Sequence, residues 1–202
     1  MRFLDDQNRL CRLAFGLRLD TRTYPFITPA TVDWYDIDLH DVIALRRRLF
    51  ELRAGLHVVG VSVTDPQLLG GIAGDREILV VAEGLTPYLR RTDGLAMLRR
   101  IVGHFESGEM LLDGFSRAGV WLLQRHPPVK ASGAQLDWSI GDPRELERAV
   151  PGLVFLRVVV RRRRRDPPVL LIAVLVADAA ALPAHPGQTL GPRPALPLRI
   201  RR

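Results

Sequence analysis

The chain of 202 residues is 47% hydrophobic and carries a formal net charge of +7. That length and composition suit one principal folded domain with a sizeable core, and they exclude a chain disordered throughout. The single cysteine, Cys11, excludes an intrachain disulfide framework and a cysteine-rich zinc site.

Five scattered histidines show no paired ligand spacing, so no metal is expected, and the cysteine usage suits a reducing cytoplasm. The N-terminal stretch MRFLDDQNRLCRL is polar and mixed in charge, unlike a signal peptide. The longest apolar run, 169–177, is too short to cross a bilayer, which leads to the expectation of a soluble protein with no membrane partner.

In chain order, the first strand falls at 11–15 and the second at 34–37. A helix follows, with Leu39, Val42, Ile43, Leu49 and Phe50 toward one side and Arg46, Arg47 and Arg48 in the last turns, where the helix dipole favours cations. Residues 57–63 read as a third strand and Asp65-Pro66 as a turn or short helix. EILVVA at 77–82 has the unbroken apolar character of a strand covered on both faces. Thr92 is expected to cap a helix carrying Leu95, Leu98, Ile101, Val102 and Phe105, and 109–112 is the next strand. Asp142-Pro143 starts a further helix that Pro151-Gly152 ends, and 153–160 is one more strand. Strands alternating with helices predict an α/β fold built on a parallel sheet.

From residue 161 the composition changes to five consecutive arginines at 161–165, then Pro, Ala, Leu and Arg. The expectation is therefore a Rossmann-like domain over 1–160 and an Arg/Pro/Ala-rich tail over 161–202. Recurrent prolines over 182–202 would interrupt a helix or a central strand. So abrupt a change is what a coding frame read out of phase would give. Ten of the arginines lie from Arg157 onward, so the positive charge sits in the tail. Without interleaved aromatics or a nucleic-acid motif, this speaks against a nucleic-acid partner, and a basic binding module acting through 161–165 is a rival reading.

In a parallel α/β sheet small ligands bind beyond the carboxyl ends of the strands, which singles out Gly16, Asp38, Ser62, Val63 and Glu83. Asp38 lies 22 positions after Gly16, the spacing at which an acid reaches the ribose diol of a nucleotide whose charged part sits at the first turn. A carboxylate accepts two hydrogen bonds from a vicinal diol, and a glycine lets the backbone approach the ligand. Asp38 is equally a good helix N-cap, with Asp41 three residues later as half of a capping box. An NAD-type Rossmann protein shares the spacing, but its Gly-x-Gly-x-x-Gly loop is absent.

The segments FGLRLDTR (15–22), VDWYDIDLHDVIALRRRL (32–49), SVTDP (62–66), LVVAEGLTPYL (79–89) and DGFSR (113–117) occur in that order, and together they resemble the leucine carboxyl methyltransferase family. The resemblance runs from about residue 15 to residue 156 and is nearer to the branch of tetracenomycin-type polyketide O-methyltransferases. It implies a class I S-adenosylmethionine-dependent methyltransferase sheet with flanking helices. Carried over, Gly16 and Asp20 belong to the loop near the methionine part of S-adenosylmethionine. Asp38 holds the ribose, Ser62 and Val63 line the adenine, and Glu83 faces the amino and sulfonium end. The implied reaction is methyl transfer to a carboxylate or hydroxyl of a small polyketide-like substrate. No catalytic base is assigned, since Tyr88, His104 and Ser116 read equally well as a wall residue, a helix-surface residue and a helix cap.

Against the family pattern, Arg18 replaces the second glycine of the first loop, Ser62-Val63 replaces an Asp-Leu pair, and the helical segment ahead of the first strand has no visible counterpart. These departures predict an incomplete, weakened sheet and admit a catalytically inactive remnant as a rival to a working enzyme. Oligomeric state is not legible.

Overall fold

The computed structural model describes residues 10–16, 31–161 and 169–176, with side chains described as far as residue 159. Seven strands form one sheet in the order β3-β2-β1-β4-β5-β7-β6. These are β1 (Leu10–Phe15), β2 (Val32–Asp38), β3 (Leu56–Gly60), β4 (Ile78–Ala82), β5 (Gly108–Gly114), β6 (Leu153–Arg161) and β7 (Val169–Val176). The pairs β1/β2, β1/β4, β2/β3 and β4/β5 are parallel, whereas β7 runs antiparallel to both β5 and β6. Strand β7 fills the place between β5 and β6, and it comes from the stretch whose composition reads as a tail. Its sequence VLLIAVLV has no polar alternation, which suits a strand flanked by others.

From β1 the chain steps one way to β2 and β3, then returns to the other side of β1 for β4 and β5. The strand order therefore reverses between β1 and β4, and the carboxyl ends of those two strands border the crevice where such sheets bind ligands.

One face of the sheet carries the main core. Cys11, Leu13 and Phe15 of β1, Ile78, Val80 and Ala82 of β4, and Met110 and Leu112 of β5 alternate along their strands. They meet Leu95, Met97, Leu98 and Ile101 of helix α2 (Arg91–His104), with Trp138, Ile140 and Leu146 beyond. Gly94 is required on α2 because a Cβ there would lie 2.0 Å from Cζ3 of Trp138. Thr92 is not the cap of this helix: α2 starts one residue earlier, after an extended Arg90 that makes no side-chain cap bond, and Thr92 is exposed in the first turn.

Helix α1 (His40–Leu49) follows β2 directly. Its inward residues are Ile43 and Arg46, while Leu39 and Leu49 are 53% and 57% exposed, contrary to the expected apolar face. Leu39 precedes the first helical residue, so helical periodicity does not apply to it. Arg46 takes the inward position because its guanidinium meets Asp36 of β2 at 2.6 Å, both side chains being essentially inaccessible. Trp34 Nε1 donates to the other oxygen of Asp36 at 2.7 Å, and Arg12 stacks 3.7 Å over the Trp34 ring.

Strand β3 stops at Gly60, three residues short of the expected end, where β2 also ends. Val61 N–H still donates to the Asp38 carbonyl, after which 62–72 forms successive turns. Helix α3 (Arg117–Gln124) is capped by Ser116, whose hydroxyl accepts from Gly119 N–H, and helix α4 (Pro127–Ser132) follows. Helix α5 (Arg144–Ala149) starts after Asp142-Pro143, with Asp142 accepting from Arg144 N–H at 3.0 Å.

Candidate functional site at the carboxyl ends of the strands

Strand register brings the singled-out residues together. Phe15 pairs with Ile37 on one side and Ala82 on the other, so the next residues, Gly16, Asp38 and Glu83, continue as a row across three adjacent strands. Asp38 pairs with Gly60, and Ala82 with Leu112, which extends the row to Gly60 at one end and Asp113 at the other. At the usual strand spacing, the backbones of Asp38 and Glu83 are about 10 Å apart with glycine between them.

Gly16 has φ +66° and donates its N–H to the Ile37 carbonyl at 3.2 Å. A left-handed backbone of this kind favours glycine, and a Cβ at this position would lie 3.5 Å from Leu85 Cβ. Gly84, also left-handed at φ +74°, has open space where a side chain would stand. Two side-chain-free positions therefore flank the crevice, one after β1 and one after β4.

Asp38 is half-buried, and its Oδ1 accepts from the N–H of Leu39 at 2.8 Å. It is not the N-cap of α1, since Leu39 holds that position and makes no side-chain cap bond; Asp41 accepts from the N–H of Val42, its neighbour. The two-way reading of Asp38 thus loses its helix-cap side. Gly60 approaches His40 closely, at 2.7 Å from a would-be Cβ to Nδ1, which docks the end of β3 onto the start of α1.

Ser62 and Val63 stand just past β3. The Ser62 hydroxyl shares a 2.8 Å hydrogen bond with that of Thr64 and accepts from Thr64 N–H. Val63 turns its side chain into the main core and is 7% exposed. Glu83 is exposed at the end of β4. Asp20 and Arg18 lie outside the described residues, as do 162–165 of the arginine run. Of the three groups with no assigned role, Tyr88 lies in a single 3-10 turn (Thr86–Tyr88) and His104 bonds the Ile72 carbonyl at 2.7 Å.

Sequence reasoning missed Asp113. It stands one residue before the end of β5, is 3% exposed, and accepts through Oδ2 from Gly84 N–H at 2.7 Å and through Oδ1 from the Thr86 hydroxyl at 2.6 Å. Burial pushes this carboxyl above the ordinary aspartate value, and its hydrogen bonds to Thr86 and Gly84 pull the other way. Its signal was present in MLLDG, an acid at the end of an apolar strand, which is the same rule that points to Asp38 and Glu83.

Among the described residues, no group of three or more His, Cys, Asp or Glu side chains is placed to hold a metal ion, and no helix is long and apolar enough to cross a membrane.

A parallel five-stranded core extended by an antiparallel β7 inserted before β6 is the class I methyltransferase fold. Solved structures share it. A CurJ carbon methyltransferase superposes with TM-score 0.62 at 11% identity, covering 87% of this chain and 50% of that one. The O-methyltransferase NcsB1 of neocarzinostatin biosynthesis, solved with S-adenosyl-L-homocysteine and 1,4-dihydroxy-2-naphthoic acid, gives 0.56 at 19% identity, covering 83% and 49%. No protein-family model matches the sequence. A tetracenomycin polyketide synthesis O-methyltransferase from Streptomyces glaucescens is 44% identical over 143 residues, 71% of this chain and 52% of the relative. An S-adenosyl-L-methionine-dependent methyltransferase from Gibberella zeae is 36% identical over 134 residues, 60% of this chain and 45% of the relative. Over 71% of its length the chain is thus similar to a tetracenomycin-type O-methyltransferase, the branch its motifs resemble. It spans about half the length of the curated relatives it matches.

Proposed function

We propose that the chain binds S-adenosylmethionine at the carboxyl ends of β1, β2 and β4 and serves an O-methyltransferase acting on a carboxylate or hydroxyl of a small polyketide-like molecule. The observation that carries this reading is the row Asp38, Gly16, Glu83: two acidic residues whose backbones stand about 10 Å apart with glycine between them. A ligand with a diol at one end and a cation at the other fits that order. Bound there, the cofactor supplies an electrophilic sulfonium methyl group.

Asp38 accepts from the ribose hydroxyls while keeping its bond to Leu39 N–H, since a carboxylate has acceptor capacity for both. Gly16 leaves room for the cofactor to lie across β1. Glu83 accepts from the cofactor's ammonium group and balances its positive charge. Ser62 and Val63 border the adenine, Ser62 through its hydroxyl and Val63 through its backbone, its side chain being committed to the core. Asp20, which the family resemblance assigns to the methionine part, lies outside the described residues. The chain's contribution to rate is alignment of an acceptor oxygen with the methyl group, worth more here than proton transfer, because a carboxylate acceptor needs no base. The single, buried cysteine suits a reducing cytoplasm.

Support also comes from the relatives' names, two of which specify methyltransferases. Calorimetric titration with S-adenosylmethionine and its demethylated product tests the reading. Micromolar binding is expected, with Asp38→Ala and Glu83→Ala each weakening it by roughly tenfold or more while the melting temperature holds. Absence of binding by the folded chain would favour an inactive remnant, and unchanged affinity in both variants would remove the residue assignment.

A further inference from the structure

Asp113 sits outside the set of residues that would touch the cofactor, yet it bonds both ends of the turn behind Glu83. Its carboxylate takes the N–H of Gly84 through Oδ2 and the Thr86 hydroxyl through Oδ1, and that hydroxyl also lies against the Asp113 carbonyl. Two donors two residues apart converging on one carboxylate close the turn between them, and a group with acceptors alone satisfies both. The turn so held contains Gly84 with its left-handed backbone and Leu85, whose Cβ stands beside Gly16. Thr86 is 1% exposed, so the far end of the turn is anchored inside the protein.

We propose that Asp113 is a positioning residue that acts through Glu83: by holding the Gly84 amide and the Thr86 hydroxyl it fixes the turn after β4, keeps Glu83 in the row with Asp38, and seats Leu85 against Gly16. The crevice is then pre-shaped from the β5 side, and cofactor affinity depends on a carboxylate that never meets the cofactor. This rests on the cofactor site proposed above. The device has a physical rationale. Glu83 is exposed at a strand end, where a side chain and its turn otherwise sample several arrangements, and ordering them on binding would cost affinity.

Two measurements on the full chain separate this from a purely structural role. Hydrogen exchange of the unliganded protein, comparing wild type with Asp113→Asn, should show the Gly84 amide exchanging at least roughly tenfold faster, with the amides of β1 and α2 unchanged. Asparagine keeps the shape but turns an N–H₂ toward one of the two donors. Titration with S-adenosylhomocysteine of wild type, Asp113→Asn, Glu83→Gln and the double variant should then show non-additive losses: once the turn is released, removing the Glu83 charge costs little more.

Unchanged exchange in the turn overturns the clamp. Faster exchange with losses that multiply independently overturns action through Glu83, as does a lower melting temperature with unaltered affinity. If the wild type binds no S-adenosylhomocysteine while the turn still loosens in Asp113→Asn, the cofactor reading fails and the link to affinity fails with it. Should Asp113→Asn not fold, Thr86→Val removes one donor and is expected to show the same pattern in weaker form, with Thr86→Ser close to wild type.

Discussion

Cys11 shows how far burial alone determines the chemistry of a single group. It faces the main core from β1 at 1% exposure, and its thiol is pushed up to about 11, chiefly by burial, with Arg76 pulling down and Asp33 adding slightly to the rise. In the unfolded chain the thiol ionises near 9.0, so between that value and about 11 the folded state holds more protons than the unfolded one. Stability therefore falls as pH rises through that window, and Cys11 contributes nothing to the pH dependence below it. Iodoacetamide at pH 8 is accordingly expected to label the native protein slowly and the urea-unfolded protein fast; equal rates would show that Cys11 is not in the core. The same contrast explains which residues were legible. Gly16, Asp38 and Glu83 stood out because strand ends are visible in a sequence and adjacent parallel strands end together. Asp36 did not, because its burial depends on a helix laid over it, and Asp113 was passed over because the strand-end rule was not applied to β5.

At the scale of the element, α1 was recognisable but its orientation was not. Leu39, Val42, Ile43, Leu49 and Phe50 suggested an inward stripe, yet Leu39 and Leu49 are 53% and 57% exposed, and Arg46 shares the inward place with Ile43. An ion pair with Asp36 decided this. Removing one partner of a buried pair leaves the other charge without compensation and typically costs about 3–5 kcal/mol, far more than the burial of one leucine edge gains. Asp36 already stands above the ordinary aspartate value through burial, with Arg46 and the Trp34 hydrogen bond holding it down. Arg46→Met should therefore destabilise the protein by about 3–5 kcal/mol in urea unfolding, whereas Asp36→Leu/Arg46→Met should recover most of that loss. A double variant as unstable as the single one would mean that the pair contributes specific packing of α1 on β2 and not merely mutual neutralisation. Because Asp38 follows Asp36 by one turn of the pleat, any tilt of α1 would also move the site, so cofactor affinity should fall in Arg46→Met even where the chain remains folded.

For the whole molecule, the parallel core from β1 to β5 was readable because its strands recur as short apolar runs, and every pair within it is parallel. The closing pair was not. Strand β7 enters between β5 and β6 although β6 precedes it in the chain, and local composition carries no sign of such a crossing. The arginines and prolines around 169–176 give this stretch the composition of a tail, and its apolar run is too short to cross a membrane. Its position has a sharp consequence. Strand β7 pairs with β5 over seven residues, from Gly108↔Val176 to Gly114↔Leu170, and with β6 along most of its length, so a backbone N–H lost anywhere near its middle breaks a ladder that has strands on both sides. Ile172→Pro is therefore expected to abolish cooperative folding, because proline is tolerated only at sheet edges and β5, once uncovered, presents a long apolar edge prone to pairing with other chains. Val159→Lys, on the outer strand at a position 48% exposed, should change stability by no more than about 0.5 kcal/mol. Circular dichroism and sedimentation of the two variants decide the matter. If Ile172→Pro stays monomeric and melts as wild type does, the sheet does not depend on β7, and Asp113 at the end of β5 would lie beside an open edge, where its hold on the turn after β4 would be exposed to water and correspondingly weak.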